Sequence, residues 1–199
     1  MLPLQVTSNP LECGVDEAGR GCLAGPVTAA AVILPPHFNA PDLTDSKQLS
    51  EKKRNVLRVK IEQEALCYAV AHVSEKQIDA THILKASILA MHKAIDKLSK
   101  MPDFIAVDGN KFYKYKNISH QTVIKGDGKF LNIAAASILA KTYRDAYMHN
   151  LALKHPEYGW HTNKGYPTKT HRDAIKKYGI TPYHRKSFTL LPKVLELPF

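Results

Sequence analysis

The chain has 199 residues, 44% hydrophobic and 23% charged, a mixture that excludes disordered, collagen-like and low-complexity architectures. No apolar run reaches the ~18 residues of a membrane span, and the opening Met-Leu-Pro-Leu-Gln lacks the regions of a secretory signal, so a soluble, cytoplasmic protein is expected. The net charge of +10 is lopsided: residues 1–109 hold 12 basic and 13 acidic side chains, residues 110–199 hold 16 and 5, which points to a polyanionic partner gripped by the C-terminal half.

Residues 11–17 alternate as a short strand that Gly19 and Gly21 stop, and the β-branched residues 27–34 form a second, closed by Pro35-Pro36. A polar loop leads to a helix over 50–64 and a third strand over 66–73. Ser74 and Gln77 form a capping-box pair, after which Leu84, Ile88, Met91, Ile95 and Leu98 recur at helical spacing. Residues 104–108 read as a buried strand ending in a carboxylate, and 121–124 as a further short strand. A helix rich in alanine covers 133–150, and a last one covers 170–178 with Gly179 as its stop. The pattern predicts one α/β domain with a basic C-terminal extension. Cys13, Cys22 and Cys67 supply neither a disulfide framework nor a paired zinc site. The terminal Leu197-Pro198-Phe199 reads as a frayed end.

Four constellations bear on chemistry. Asp16-Glu17 and Asp108 end two strands, and hard carboxylate oxygens at neighbouring strand ends suit Mg²⁺ or Mn²⁺, although such residues also serve as helix caps. Adjacent strand residues point to opposite faces, so convergence of Asp16 and Glu17 requires a turn at Glu17, which Ala18-Gly19 would supply. The segment from Gly19 to Ala24 fits G-x-G-x-x-A but is no dinucleotide fingerprint, because carboxylates precede it and a strand follows it; its glycines still allow a backbone approach to a sugar hydroxyl. Ser137, Lys141 and Asp145 share a helix face that suits phosphate contacts or a solvated stripe. Basic and aromatic residues interleave over 111–116, 164–169 and 183–188, as nucleic-acid binding uses them. His161 and His171 read as polar contacts rather than zinc ligands, and no P-loop, nucleophile elbow or H-E-x-x-H occurs.

Six segments in order resemble the bacterial ribonuclease HII family: Gly14-Val15-Asp16-Glu17-Ala18-Gly19-Arg20-Gly21, Asp45-Ser46-Lys47-Gln48-Leu49, Val107-Asp108-Gly109, the run from Val123 through Lys125-Gly126-Asp127 and Ser137 to Lys141 with Arg144-Asp145 beyond it, Lys164-Gly165-Tyr166-Pro167-Thr168, and His184-Arg185-Lys186-Ser187-Phe188. The resemblance implies a ribonuclease H-like α/β fold, a five-stranded mixed sheet flanked by helices, with a catalytic domain over 1–155 and a small helical region over 156–199 packed on it. It implies Asp16, Glu17, Asp108 and Asp127 as catalytic ligands of two Mg²⁺ or Mn²⁺ ions, with Asp145 the alternative fourth carboxylate. Gly19, Arg20 and Gly21 would read the 2′-hydroxyl of a ribonucleotide, Tyr166 would pack on the next sugar, and Lys47, Ser137 and Lys141 would contact phosphates. The implied partners are RNA–DNA hybrids and duplex DNA with embedded ribonucleotides, cut on the 5′ side of the ribonucleotide by a monomeric enzyme. A ribonuclease HIII-like nuclease and a non-catalytic nucleic-acid-binding protein are the alternatives. Cys22 departs from the proline common in relatives; it is expected to loosen the loop slightly and to touch no assigned metal ligand.

Overall fold

Five strands form one mixed sheet in the order β3-β2-β1-β4-β5: β1 is Glu12–Ala18, β2 Val27–Ile33, β3 Cys67–Val73, β4 Phe104–Asp108 and β5 Ser119–Val123. The computed structural model describes residues 2–44 and 46–192, except the side chain of Lys47; Asp45 and the terminal Leu197-Pro198-Phe199 lie outside the described residues. Strand β1 pairs antiparallel with β2 and parallel with β4, placing Val15 beside Ala31 on one side and Val107 on the other. Strands β4 and β5 are also parallel. The expected five-stranded mixed sheet flanked by helices is therefore present.

Every residue of β2 is buried, because helices cover both faces of that strand. Val27, Ala29, Ala31 and Ile33 face helix α3 (Ile83–Asp96), packing with Met91 and Ile95. Ala30 and Val32 face helix α4 (Leu131–Lys154), packing with Ala135, Ile138 and Leu139. Helix α1 (Glu51–Glu64), capped by Ser50, lays Leu57 and Ile61 onto the same side as α4. The first turn of α4 lies against β1 so closely that a Cβ on Gly14 would stand 2.2 Å from the Asn132 carbonyl carbon. This contact fixes Ser137, one and a half turns further along α4, above the end of β1.

Several boundaries differ from those the sequence predicts. The helical region after Ser74 is two helices, α2 (Glu75–Thr81) and α3, because His82 takes a φ of +68° that neither helix can contain. Strand β5 starts at Ser119, its first residues being polar and partly exposed and so carrying no apolar signal. Helix α4 is longer than residues 133–150, and a short helix α5 (Trp160–Asn163) precedes α6 (Lys169–Tyr178), which Thr168 caps. Among the described residues no helix is long and apolar enough to cross a membrane. The three cysteines are free and buried.

Gly14→Ala should force β1 and α4 apart and lower stability by about 3 kcal/mol; thermal denaturation of the variant beside the wild type measures it.

Candidate active site

The parallel register of β1 and β4 sets Val15 opposite Val107, so the next residues, Asp16 and Asp108, lie side by side where the ladder between these two strands ends. With Glu17 they line a recess of about 600 Å³. The expected turn at Glu17 does not occur: the ladder to β2 continues through Ala18 opposite Thr28. Convergence comes from the side chains instead. Asp16 folds back so that its Oδ1 accepts the Glu17 N–H at 2.6 Å, and Glu17 reaches around the strand, lining both this recess and a smaller one on the α3 side. Burial pushes the Asp16 carboxyl well above its ordinary range, and the charges of Glu17 and Asp108 push it further, against hydrogen bonds from Ser137 and the Glu17 N–H. Glu17 is raised as well, chiefly by burial and then by Asp108, with the Arg20 guanidinium opposing. Three carboxylates held this close favour either a proton or a cation.

The same recess is lined by Gly19, Arg20, Gly21, Ser137, Lys141 and Tyr166, all singled out in the sequence, and by Ser46, which was not. Ser46 Oγ and Ser137 Oγ stand 2.9 Å apart, so the loop from β2 to α1 is tied to Asp16 through Ser137. Arg20 reaches Glu17 Oε1 at 3.2 Å while half exposed. Asp127 lies elsewhere: it is buried in a 3-10 turn, Gly126–Gly128, and does not line the recess. Its turn is nevertheless tethered there, because the Gly126 N–H donates to Asp108 Oδ1 at 2.7 Å. Asp145 accepts from Lys141 Nζ at 2.8 Å and faces a neighbouring cleft between α1 and α4, so the Ser137-Lys141-Asp145 face runs out of the recess rather than into solvent. The side chain of Lys47 lies outside the described residues.

Among the described residues, no three His, Cys, Asp or Glu side chains are already drawn into a closed metal cage. The donor set still fits a hard divalent cation, since Mg²⁺ takes only one or two carboxylates and fills its other positions with water and phosphate. The guanidinium of Arg20 now supplies positive charge to Glu17. A sequence profile of Ribonuclease HII matches residues 13–191. The chain belongs to the ribonuclease HII family. It is 62% identical over 199 residues to the ribonuclease HII of Parabacteroides distasonis, covering 100% of both chains. Among solved structures, the ribonuclease H2 of Pyrococcus horikoshii OT3 superposes with a TM-score of 0.77 at 27% identity, over 90% of this chain and 94% of that one. The RNase HII of Archaeoglobus fulgidus, solved in complex with PCNA, superposes with a TM-score of 0.75 at 26% identity, over 93% and 98%.

The Gly-Arg-Gly loop and Tyr166 are held by groups the sequence did not reveal as such. Gly19 has a φ of +94°, and a Cβ there would stand 2.0 Å from Arg144 Nε. The buried Arg144 guanidinium donates to the carbonyls of Pro26, Ala24 and Lys164 at 2.9, 3.0 and 2.8 Å. Arg185, also buried, donates to the carbonyl of Gly25 twice and to that of Arg20 at 2.9 Å. Arg185 therefore serves the protein interior, contrary to the phosphate contact expected of the 183–188 segment. Tyr115 in the 111–116 segment is likewise core, its hydroxyl donating to Asp96 at 2.6 Å. The buried Cys22 thiol hydrogen-bonds the Tyr166 phenol and so adds to the hold on that ring. Arg144 was legible in one respect, since it falls in the buried stripe with Ala140, Met148 and Leu151.

A chain of imidazoles completes the hold on Tyr166. The Thr181 N–H donates to His184 Nδ1 at 2.9 Å, which leaves the proton on Nε2, facing His171 Nε2 at 3.2 Å. His171 Nε2 also accepts the Trp160 N–H at 3.0 Å, so the His171 proton sits on Nδ1 and is donated to the Tyr166 carbonyl at 2.9 Å. His171 is thus a polar contact, as expected. Both rings must be neutral for this arrangement. Burial pushes His171 down and, with the facing His171, pushes His184 down to about 4. As pH falls the unfolded chain takes up these protons first, near 6.5, so the stabilisation is complete above that value and is lost on descending towards pH 4. Melting curves between pH 7.5 and 4 should show His184→Gln less stable than wild type at the upper end and less sensitive to pH across the range.

Proposed function

We propose that this ribonuclease hydrolyses the phosphodiester on the 5′ side of a ribonucleotide, in RNA–DNA hybrids and in duplex DNA with embedded ribonucleotides, leaving a 5′-phosphate and a 3′-hydroxyl. The supporting observation is a single recess in which Asp16, Glu17 and Asp108 stand beside the Gly19-Arg20-Gly21 loop and Tyr166. Asp16, Glu17 and Asp108, with Asp127 drawn in by its tethered turn, would hold two Mg²⁺ or Mn²⁺ ions. When bound, such ions lower the pKa of an attacking water and stabilise the leaving 3′ oxygen.

The residues of the chain then do the rest. Peptide groups of Gly19 and Gly21 lie at the recess wall, where a 2′-hydroxyl is the only group that marks a lone ribonucleotide locally. The half-exposed Arg20 is free to exchange Glu17 for substrate once cations satisfy that carboxylate. Ser137 and Lys141 face the recess as phosphate contacts. The Tyr166 ring, 5.8 Å from Lys141 Nζ, offers a flat surface for the sugar on the far side of the cut. Catalytic work in this reading belongs to residues 1–155, and residues 156–199 lend Tyr166 and a basic surface. The enzyme acts as a monomer in the cytoplasm.

An end-labelled DNA duplex with one ribonucleotide should be cut once, 5′ of that nucleotide, with Mg²⁺ or Mn²⁺ and not with EDTA, while an all-DNA control stays intact. Asp108→Asn should abolish the cut and retain binding. Salt-sensitive binding without any cleavage by the wild type would replace this reading with a non-catalytic one. Tyr166→Ala should slow cleavage at a lone ribonucleotide by roughly tenfold and affect continuous hybrids less; equal losses on both substrates would show that the ring only packs.

A further inference from the structure

Helix α3 covers the sheet with an apolar face, and Leu84, Ile88 and Met91 recur on it at helical spacing. Ser87 interrupts that face. It is only 2% exposed, and its Oγ has no hydrogen-bond partner among the described residues. Alanine would fill the same place without burying an unpaired hydroxyl and would favour the helix more. A serine here is unfavourable for folding alone, and such exceptions concentrate where a site needs them.

The position of Ser87 identifies the need. It lines a small recess, of about 20 Å³, whose other walls include Glu17, Asp108 and Arg20. That volume accommodates a water, which takes about 10–15 Å³ and two to four polar partners. Ser137 already serves Asp16 from α4 on the opposite face of the sheet. Ser87 occupies the corresponding place on the α3 side, behind the two carboxylates that reach around the strand ends.

We propose that Ser87 is a positioning residue of the active site: its hydroxyl holds a water in the recess behind Glu17 and Asp108, and that water fixes both carboxylates in the orientation that receives a divalent cation. The proposal rests on the metal-dependent reading above. Partners that orient metal ligands from behind typically change affinity by about 10–100-fold when removed.

The test uses the full chain with Ser87→Ala and Ser87→Cys, reading Mn²⁺ binding to the free protein by calorimetry, cleavage of the single-ribonucleotide duplex as a function of Mg²⁺, and the melting temperature. Ser87→Ala should bind Mn²⁺ about tenfold more weakly, need correspondingly more Mg²⁺ for half-maximal turnover, keep its KM for the duplex, and melt at or above the wild-type temperature. Ser87→Cys, of similar shape but a poorer hydrogen-bonding group, should fall between the two. Unchanged Mn²⁺ affinity with a raised melting temperature would make the hydroxyl an orphan and overturn the proposal. Activity lost in step with thermal stability would make Ser87 structural and overturn it too. A wild type that cuts nothing would defeat the nuclease reading, while the Mn²⁺ titration would still decide the role of Ser87.

Discussion

The site depends on one pairing, the parallel ladder between β1 and β4. Each strand carries an acid just past the last residue it pairs with the other, and the register that sets Val15 beside Val107 brings Asp16 and Asp108 to one end of that ladder. A slip of one residue would send the apolar set of β1 to the wrong face, so the core that buries Val15 and Val107 against α3 also holds the carboxylates in place. The same ladder continues into β5, whose chain turns at Gly126 and there donates a backbone N–H to Asp108 before α4 begins. Hydrophobic packing thus holds Asp16 and Glu17 near Asp108, and the cost appears as carboxyls raised above their ordinary range.

Arg144 and Arg185 answer a different difficulty. The segment from Gly19 to Pro26 is a loop that must hold its shape over the recess, and the C-terminal region offers only short helices with which to grip it. Each guanidinium is buried, and each spends its donors on backbone carbonyls of that loop, Arg144 adding the carbonyl of Lys164 beside Tyr166. The planar five-donor fork makes this possible, whereas an ammonium would cover fewer carbonyls from one position. Burial costs Arg185 some of its basicity, pushing it down to about 10. Two of the cations that make the C-terminal half so basic are therefore internal. They still raise the potential near the recess.

The strands, the alanine-rich helix and the acids at the strand ends were legible because hydrophobic pattern and abrupt carboxylates survive in one dimension. The break at His82 was not, since the residues on both sides keep helical periodicity and only a backbone angle separates them. The start of β5 was hidden for the opposite reason: it forms by pairing with β4 while its own side chains stay polar. Ser46 could be quoted in a motif but not given a role, because the 2.9 Å contact with Ser137 joins residues 91 positions apart. Arg185 looked like a surface cation in a basic run, and only the docking of that run onto Leu23 and Gly25 turns it inward. Tyr166 was visible as an aromatic among lysines, but the imidazoles that position its carbonyl come from α6 and the loop after it.

The two candidates for a fourth carboxylate differ in what would be lost by using them. Asp145 neutralises Lys141, and recruiting it would release that lysine while drawing the carboxylate from a separate cleft. Asp127 sits in a three-residue turn whose first N–H already rests on Asp108. A shift of Asp108 towards a cation would pull directly on this turn, so Asp127 is mechanically coupled to the site in a way Asp145 is not. Lys141 meanwhile keeps its place in the recess, where a cation opposite the carboxylates suits a bound phosphate. On the proposed reading, this coupling favours Asp127 over Asp145 as the fourth carboxylate.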